Sequence, residues 1–343
     1  MSISIVLPSD LDNLDLPYII SSRPKISWFE ESILKVRSFK NVELNIKKIE
    51  NVEEQDLKIL RNLYTEVHSE DLYISAKSRQ YFKKYMSIIY SQVYSILNSD
   101  TNIVLSIAYP PDLWAGRTFL RKCSIFSLTT YIAKKLNGKT CIVSLDVHYG
   151  IGIHDEVMYE RDLGREIFFI SICSMSDIDT KIYRRIKKNP WKVLPIIIPP
   201  GSRDDILIPT LDYAFRIVQR YNPEVLIFLL GLDIYREDLI GEFMISCDAI
   251  YDVGKMLSML LQSIYIKKLI ILIECVSSKK SIEKAFSNFL AGLLNIEKPY
   301  YDPISKESSS EIKKMTYEGL VKIGKMLYKF WKVRPGIKIP KML

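Results

Sequence analysis

The sequence predicts an α/β fold: a single domain with a mostly parallel sheet flanked by helices on both faces, and with an N-terminal helical elaboration. Two observations predict this fold. From about residue 100 onward, short apolar segments alternate with longer amphipathic segments, as in parallel sheets whose strands are joined by helices. The 343 residues also contain no low-complexity linker, and a chain of this length can bury most of its apolar surface in one α/β unit.

Six segments are predicted as strands because each is apolar nearly throughout, as expected for strands that are covered on both faces. In chain order they are Ile103–Ala108, Cys141–Asp146, Ile167–Ser171, Val193–Ile198, Val225–Leu230 and Leu269–Glu274. The amphipathic segments between them predict helices at Ser124–Leu136, Asp204–Tyr221, Asp248–Tyr265 and Ser281–Leu294. Asn222-Pro223 marks a helix end, because proline disfavours helical backbone at the residue before it.

The first hundred residues have mainly helical patterns. They predict helices at Gln55–His68, at Ser78–Asn98 and at Ile26–Phe39, the last packed on the edge of the sheet. We expect residues 1–54 to be an elaboration that packs on a main domain of residues 55–343.

Composition limits the classes of function. The formal net charge of +8 leaves a nucleic-acid partner open, but the basic residues are spread in small clusters, which favours an ordinary solvated surface. The five cysteines are widely spaced and form no C-x-x-C pair, which indicates a reducing compartment rather than a disulfide framework. Because no secretion signal or membrane-length apolar segment is visible, we expect a cytoplasmic protein with no membrane contact.

Two predicted strands end in acidic residues, where ligands bind in open parallel sheets. Asp146 and His148 lie two residues apart, so their side chains point to the same side of the chain. Asp233 follows a different strand. Together they form an O,N,O set that suits Zn²⁺ with one position left open. An Asp-x-His pair alone is also common in loops, where local hydrogen bonds satisfy it.

Five segments carry a family resemblance. Glu66–Leu72 resembles V-H-S-x-E-Y, Tyr109–Ala115 resembles R-P-P-G-H-H-A, and Asp146–Gly152 resembles D-V-H-H-G-N-G. Gly231–Gly241 is similar to G-F-D-A-x-x-x-D-P-L-G-G, and Tyr328–Trp331 resembles an aromatic stretch near the C-terminus. Their order and spacing resemble the superfamily of histone deacetylases and acetylpolyamine amidohydrolases.

The resemblance implies an arginase/deacetylase-like fold with Asp146, His148 and Asp233 as ligands of a zinc ion. In the family, this ion polarises the carbonyl of an N-acetyl-lysine and activates a water molecule. An adjacent histidine pair handles the protons, and a tyrosine hydroxyl stabilises the oxyanion.

The residues for this proton chemistry are replaced in this chain. Leu113 and Trp114 stand at the histidine pair, and Ser277 stands at the tyrosine of L-E-G-G-Y. Cys275 and Val276 replace the two glycines of that motif. The chain has only three histidines, so a shifted alignment cannot restore the pair. Losing general acid–base catalysis typically costs ~10²–10⁴-fold in rate, and losing an oxyanion donor about another 10²–10³-fold.

Two functions therefore compete. The leading hypothesis is a catalytically inactive pseudo-deacetylase that acts by binding a protein partner or a second copy of itself. The alternative is an active zinc-dependent amidohydrolase with rewired proton chemistry, for which Glu274, Asp112 and Glu242 are the candidate bases. Because Glu274 matches a glutamate that the resembling family also carries, a structural role is the expected one for it. Binding of nucleic acid, a third class, rests only on the net charge.

Overall fold

An eight-stranded sheet, parallel throughout, forms the centre of the molecule. The structure is a computed structural model that describes residues 2–8, 24–38, 44–49, 88–108, 112–117, 119, 124, 126–178 and 191–332. The strands are β1 (Ile3–Pro8), β2 (Leu44–Ile49), β3 (Ile103–Ile107), β4 (Thr140–Leu145), β5 (Ile167–Ser174), β6 (Val193–Ile198), β7 (Val225–Gly231) and β8 (Lys268–Glu274). Their order across the sheet is β2-β1-β3-β8-β7-β4-β5-β6.

All six predicted strands are confirmed, as β3 to β8, with ends that differ by up to three residues. Every described position from β3 to β7 is buried or nearly so, which is why their apolar pattern is continuous. β1 and β2 were not predicted from the sequence. β2 has a weak signal because it lies at the edge of the sheet, where Lys47 and Lys48 face solvent.

Helices flank the sheet, as predicted. They are α1 (Ile26–Ser38), α2 (88–97), α3 (Leu128–Lys135), α4 (Ile151–Asp162), α5 (Asp204–Tyr221), α6 (Cys247–Ser263), α7 (Ser287–Leu293) and α8 (Ser310–Trp331). A π-helical turn, Ser281–Phe286, leads into α7. α5 has its predicted bounds, because Asn222 ends the helix in left-handed backbone and donates its N–H to the Val218 carbonyl.

The N-terminal segment shares the sheet with the rest of the chain. β1 pairs with β2 on one side and with β3 on the other. α1 packs on the π-helical turn, where the rings of Phe29 and Phe286 meet edge to face at 5.2 Å. The division at residue 54 remains a prediction. The predicted helix Gln55–His68 lies outside the described residues, and Ser78–Asn98 is described only from residue 88.

Strand order brings together residues that are distant in sequence. β7 lies between β4 and β8, with Leu145 opposite Leu230 and Gly231 opposite Glu274. Because the strands are parallel, the residues that follow β4, β7 and β8 meet at one edge. Among the residues that the structure describes, no helix has the length and apolar character that a membrane crossing needs.

Candidate metal centre

Four potential metal ligands converge at the carboxyl edge of β8, β7 and β4. Asp146 follows β4, His148 lies two residues later, Asp233 lies in the 3-10 turn after β7, and Cys275 follows β8. One ligand atom from each lies within 4.8 Å of the others. Asp146, Asp233 and Cys275 are buried, and His148 is half-buried. The structure therefore brings together the three residues singled out in the sequence and adds a fourth.

The imidazole of His148 lies between the two carboxylates. Its Nδ1 is 3.0 Å from Asp146 Oδ1 and 2.9 Å from Asp233 Oδ2. The backbone N–H of His148 also donates to Asp146 Oδ1 at 2.7 Å, and that of Val147 donates to Asp233 Oδ1 at 3.3 Å. The turn after β4 thus holds both carboxylates through its own amides.

The electrostatics of the site favour a bound cation. Burial raises the pKa of the Asp233 carboxyl, and the charge of Asp146 raises it further. Burial of the His148 ring lowers its pKa, but hydrogen bonds to Asp146 and Asp233 outweigh this and raise the pKa to about 10. Two buried carboxylates this close repel each other unless a positive charge lies between them, whether a proton on the imidazole or a metal ion.

Two features of this edge fit a metal ion. Ring nitrogen Nδ1 can donate one proton only, although it lies close to both carboxylates. Within the described part of the chain, Asp146 Oδ2 has no hydrogen-bond partner. In addition, Gly231 places no side chain between the two carboxylates: a Cβ at this position would lie 2.1 Å from Asp146 Oδ2 and 2.6 Å from Asp233 Oδ1. Carboxylate oxygens beside an imidazole and a thiol are a donor set suited to Zn²⁺.

Leu113 and Trp114 form an apolar wall along the segment that follows Asp146, with Leu113 against Gly150 and Trp114 against His148. Leu113 is fully buried, and its carbonyl accepts a hydrogen bond from the Gly152 amide at 2.8 Å. Trp114 is 5% exposed, and its ring meets the His148 ring edge to face at 5.0 Å. Neither side chain can accept or release a proton in this role.

Ser277 is engaged by a different residue. Its hydroxyl donates to Asp238 Oδ1, and its backbone N–H donates to Asp238 Oδ2 at 2.9 Å. The same Oδ2 accepts from the Ser281 hydroxyl at 2.8 Å. The Ser277 hydroxyl, which stands where the family has its tyrosine donor, therefore donates its proton to the Asp238 carboxylate.

The three carboxylates considered as replacement bases have different surroundings. Burial raises the pKa of Glu274, and the neighbouring charge of Asp112 adds to the rise. Asp112 accepts hydrogen bonds from the backbone N–H and the hydroxyl of Thr129. Glu242 is exposed and accepts hydrogen bonds from Ser174 and Ser176. None of the three is part of the four-residue group.

Of the other two histidines, only His154 is described by the structure, and it is not part of the four-residue group. His154 is in α4 and its Nδ1 lies 2.7 Å from the Tyr149 hydroxyl. His68 lies outside the described residues, as do the family-like segment Glu66–Leu72 and residues 109–111. From the sequence, Cys275 was predicted only as the replacement of a family glycine. Its position directly after an apolar strand with an acidic end was the signal for a site residue.

The sequence is similar to known deacetylase-type sequences. A sequence profile described as Histone deacetylase domain matches residues 30–293. An acetylpolyamine amidohydrolase of Burkholderia pseudomallei (strain 1710b) is 24% identical over 132 residues, which are 36% of this chain and 37% of that protein. The chain thus aligns with little more than a third of the length of this relative.

Solved structures have the same fold. The HD domain of HDA15 superposes with a TM-score of 0.68 at 16% identity, covering 96% of this chain and 97% of that one. An acetylpolyamine aminohydrolase from Burkholderia pseudomallei superposes with a TM-score of 0.60 at 14% identity, covering 84% of this chain and 98% of that one. The profile match covers well over half of the sequence and includes Asp146, His148, Asp233 and Cys275. The chain belongs to the histone deacetylase family.

Proposed function

We propose that this chain is a catalytically inactive member of its family, which holds a divalent metal ion through Asp146, His148 and Asp233 and acts by binding a partner. The observation that carries the proposal is the apolar wall. Leu113 and Trp114 are buried where the family has its proton-transferring histidines, and Trp114 contacts the ring of His148. A zinc ion would supply Lewis acidity, but amide hydrolysis also needs a base and an acid for the leaving amine.

The Ser277 contacts support the same conclusion. A serine is shorter than a tyrosine, and this serine donates its proton to Asp238. An oxyanion developing at the ion would therefore lack the hydroxyl donor that the family uses. Losing the proton-transfer pair and the oxyanion donor together corresponds to ~10⁴–10⁷-fold in rate, if the two effects multiply.

The test is a release assay with an acetyl-lysine peptide and an acetylpolyamine, using the full chain supplied with Zn²⁺. We expect acetate release to stay at the level of the Asp146→Ala variant, which serves as the matched control. Turnover by the unaltered chain that disappears in Asp146→Ala would overturn the proposal.

A second candidate, an amidohydrolase with rewired proton chemistry, is favoured by the Glu274–Asp112 pair. A carboxyl whose pKa is raised by burial and by a neighbouring carboxylate, as that of Glu274 is, has the property that a general base requires. If acetate is released, Glu274→Gln and Asp112→Asn decide whether this pair is involved. Loss of at least about 10²-fold in kcat would assign the base to it.

The partner is expected to be a protein or a second copy of this chain. Support comes from the loop after Asp233, where Leu239 is 76% exposed, Ile240 52% and Met244 36%; neighbouring exposed apolar side chains are typical of contact surfaces. Light scattering after size exclusion separates the two kinds of partner. A dimer that dissociates in Leu239→Ser identifies self-association, and a monomer directs the search to another protein.

A further inference from the structure

Cys275 is the fourth residue of the candidate metal centre, and the proposed function does not use it. It follows β8 directly and is 3% exposed. Its Sγ belongs to the group of ligand atoms that lie within 4.8 Å of one another, together with atoms of Asp146, His148 and Asp233. A thiol at this distance from two carboxylates and an imidazole has the position of a metal ligand.

The backbone around Cys275 holds the sulfur at the site. Cys275 has φ +42°, in the left-handed region that suits glycine and that other residues rarely adopt. Its carbonyl accepts a hydrogen bond of 2.8 Å from the Asp233 amide, so the turns after β7 and β8 are tied together. A glycine would meet the same backbone requirement without strain; the cysteine adds a sulfur beside the carboxylates.

A second observation points to a ligand at this position. Asp146 Oδ2 is buried and lacks a hydrogen-bond partner among the described residues, and Asp233 Oδ2 faces the same His148 Nδ1 that also lies 3.0 Å from Asp146 Oδ1. Buried carboxylate oxygens are normally hydrogen-bonded or bound to a cation. A cation that pairs with both oxygens would lie in the space that Cys275 Sγ also borders.

We propose that Cys275 is a fourth protein ligand of the divalent ion, so that the centre is a closed Asp, His, Asp, Cys site. This rests on the proposed function in one respect, that Asp146, His148 and Asp233 hold a metal ion. Zinc sites with three protein ligands keep an open position and are typical of catalysis, whereas sites with four protein ligands are closed and structural. A closed site leaves no position for a substrate carbonyl.

The fourth ligand changes metal preference and stability. Thiolate is a soft ligand, which favours Zn²⁺ and Co²⁺ over Mg²⁺ and Ca²⁺. Burial raises the pKa of Cys275, but a bound transition-metal ion deprotonates a coordinating thiol outright. The ion would then connect the ends of β4, β7 and β8 and would stabilise the folded chain.

Cobalt absorption tests the ligand directly. The full chain is stripped with a chelator and titrated with CoCl₂, and the thiolate-to-cobalt charge-transfer band in the near ultraviolet is recorded. We expect one equivalent of Co²⁺ and a charge-transfer band that disappears when Zn²⁺ displaces the cobalt. Mg²⁺ should not displace it.

Two variants assign the band to one sulfur. Cys275→Gly suits the left-handed backbone, so it should fold, keep the three remaining ligands, lose the band and bind Co²⁺ at least about tenfold more weakly. Cys275→Ser gives a second readout, with the same loss of the band. Cys141→Ala is the matched control: Cys141 is buried in β4, outside the four-residue group, so its variant should keep the band.

The outcomes separate this inference from the proposed function. One equivalent of Co²⁺ without a charge-transfer band, or a band that persists in Cys275→Gly, would overturn cysteine ligation whatever the chain does catalytically. No Co²⁺ bound at all would overturn it too and would leave a proton on His148 as the charge between the carboxylates. Hydrolysis of acetyl-lysine by a chain that shows the band would instead contradict the inactive function and leave cysteine ligation standing.

Discussion

At the scale of single residues, the candidate metal centre depends on space as well as on ligands. Asp146 and Asp233 can approach each other because Gly231, at the end of β7, has no side chain between them. The backbone of Gly231 has φ −73° and ψ 122°, which any residue adopts. The requirement for glycine at this position is therefore the volume that the two carboxylates occupy, not the conformation of the chain.

We predict that Gly231→Ala displaces the carboxylate of Asp146 and lowers the free energy of unfolding by about 1–3 kcal/mol, as overpacking does. Metal content per chain should fall in the same variant. Gly319→Ala is the matched control: nothing lies within 4 Å of the position in helix α8, so it should stabilise by about 0.5–1 kcal/mol. Urea unfolding and elemental mass spectrometry measure both effects. Equal results for the two variants would contradict the prediction.

Asp302 has a structural role with a pH dependence. Burial raises the pKa of this carboxyl, but a hydrogen bond from Arg236 at 3.3 Å and one from the Cys247 amide at 2.8 Å outweigh burial, and the pKa is lowered. A carboxyl whose pKa is lower in the folded state stabilises the fold above its unfolded pKa of about 4. This contribution disappears as the pH falls through the folded pKa.

We therefore predict that Asp302→Asn lowers the free energy of unfolding at pH 7 by about 1.5–3 kcal/mol, because hydrogen bonds to a charged group are lost. The difference from the unaltered chain should shrink as the pH is taken below about 4. Asp212→Asn removes a carboxylate from an exposed pair with Arg216 and should change stability by less than about 1 kcal/mol. Urea titrations across this pH range provide the comparison; a pH-independent difference for Asp302→Asn would refute the assignment.

At the scale of elements, α1 attaches the N-terminal segment to the π-helical turn and to α7. Phe29 contacts Phe286, and the Ser32 hydroxyl donates to the Ile282 carbonyl at 3.3 Å. Ile282 and Phe286 both lie in the π-helical turn, which begins four residues after Ser277. α1 therefore supports the segment that carries Ser281, one of the residues that hold Asp238.

Two neighbouring residues of α1 test this packing. Ile33 is fully buried and Leu34 is 57% exposed, although both belong to the same helical turn. We predict that Ile33→Ala lowers the free energy of unfolding by about 2–5 kcal/mol, whereas Leu34→Ala changes it by less than about 0.5 kcal/mol. Similar losses for the two variants would mean that the helix is not packed as described.

At the scale of the whole molecule, the sheet joins the first strand of the chain to strands that are distant from it in sequence. β1 comes from the first eight residues and pairs with β3, which in turn pairs with β8 near residue 270. An unpaired strand edge is prone to associate with other chains, and β1 covers the edge that β3 would otherwise expose. The segment before residue 55 therefore contributes to the same sheet as the metal centre.

We predict one cooperative unfolding transition for the segment before residue 55 and the site together. Single-tryptophan variants report on each: Trp28 lies in α1, and Trp114 lies beside His148. Their fluorescence transitions in urea should have the same midpoint as the far-ultraviolet circular dichroism. An earlier transition at Trp28 would indicate instead that the N-terminal segment folds as a separate unit.

The sequence by itself determined the α/β class, the six strands β3 to β8, the bounds of α5, the family, and Asp146, His148 and Asp233 as one group. These are readable because each depends on local pattern: continuous apolar strands, a helix-ending Asn-Pro pair, and short motifs at strand ends. Only the tertiary structure decided which strands are neighbours. Pairing between distant segments leaves no periodic signal, so the sequence did not predict that β1 and β2 extend the sheet, that Asp238 holds Ser277, or that β8 brings Cys275 to the carboxylates.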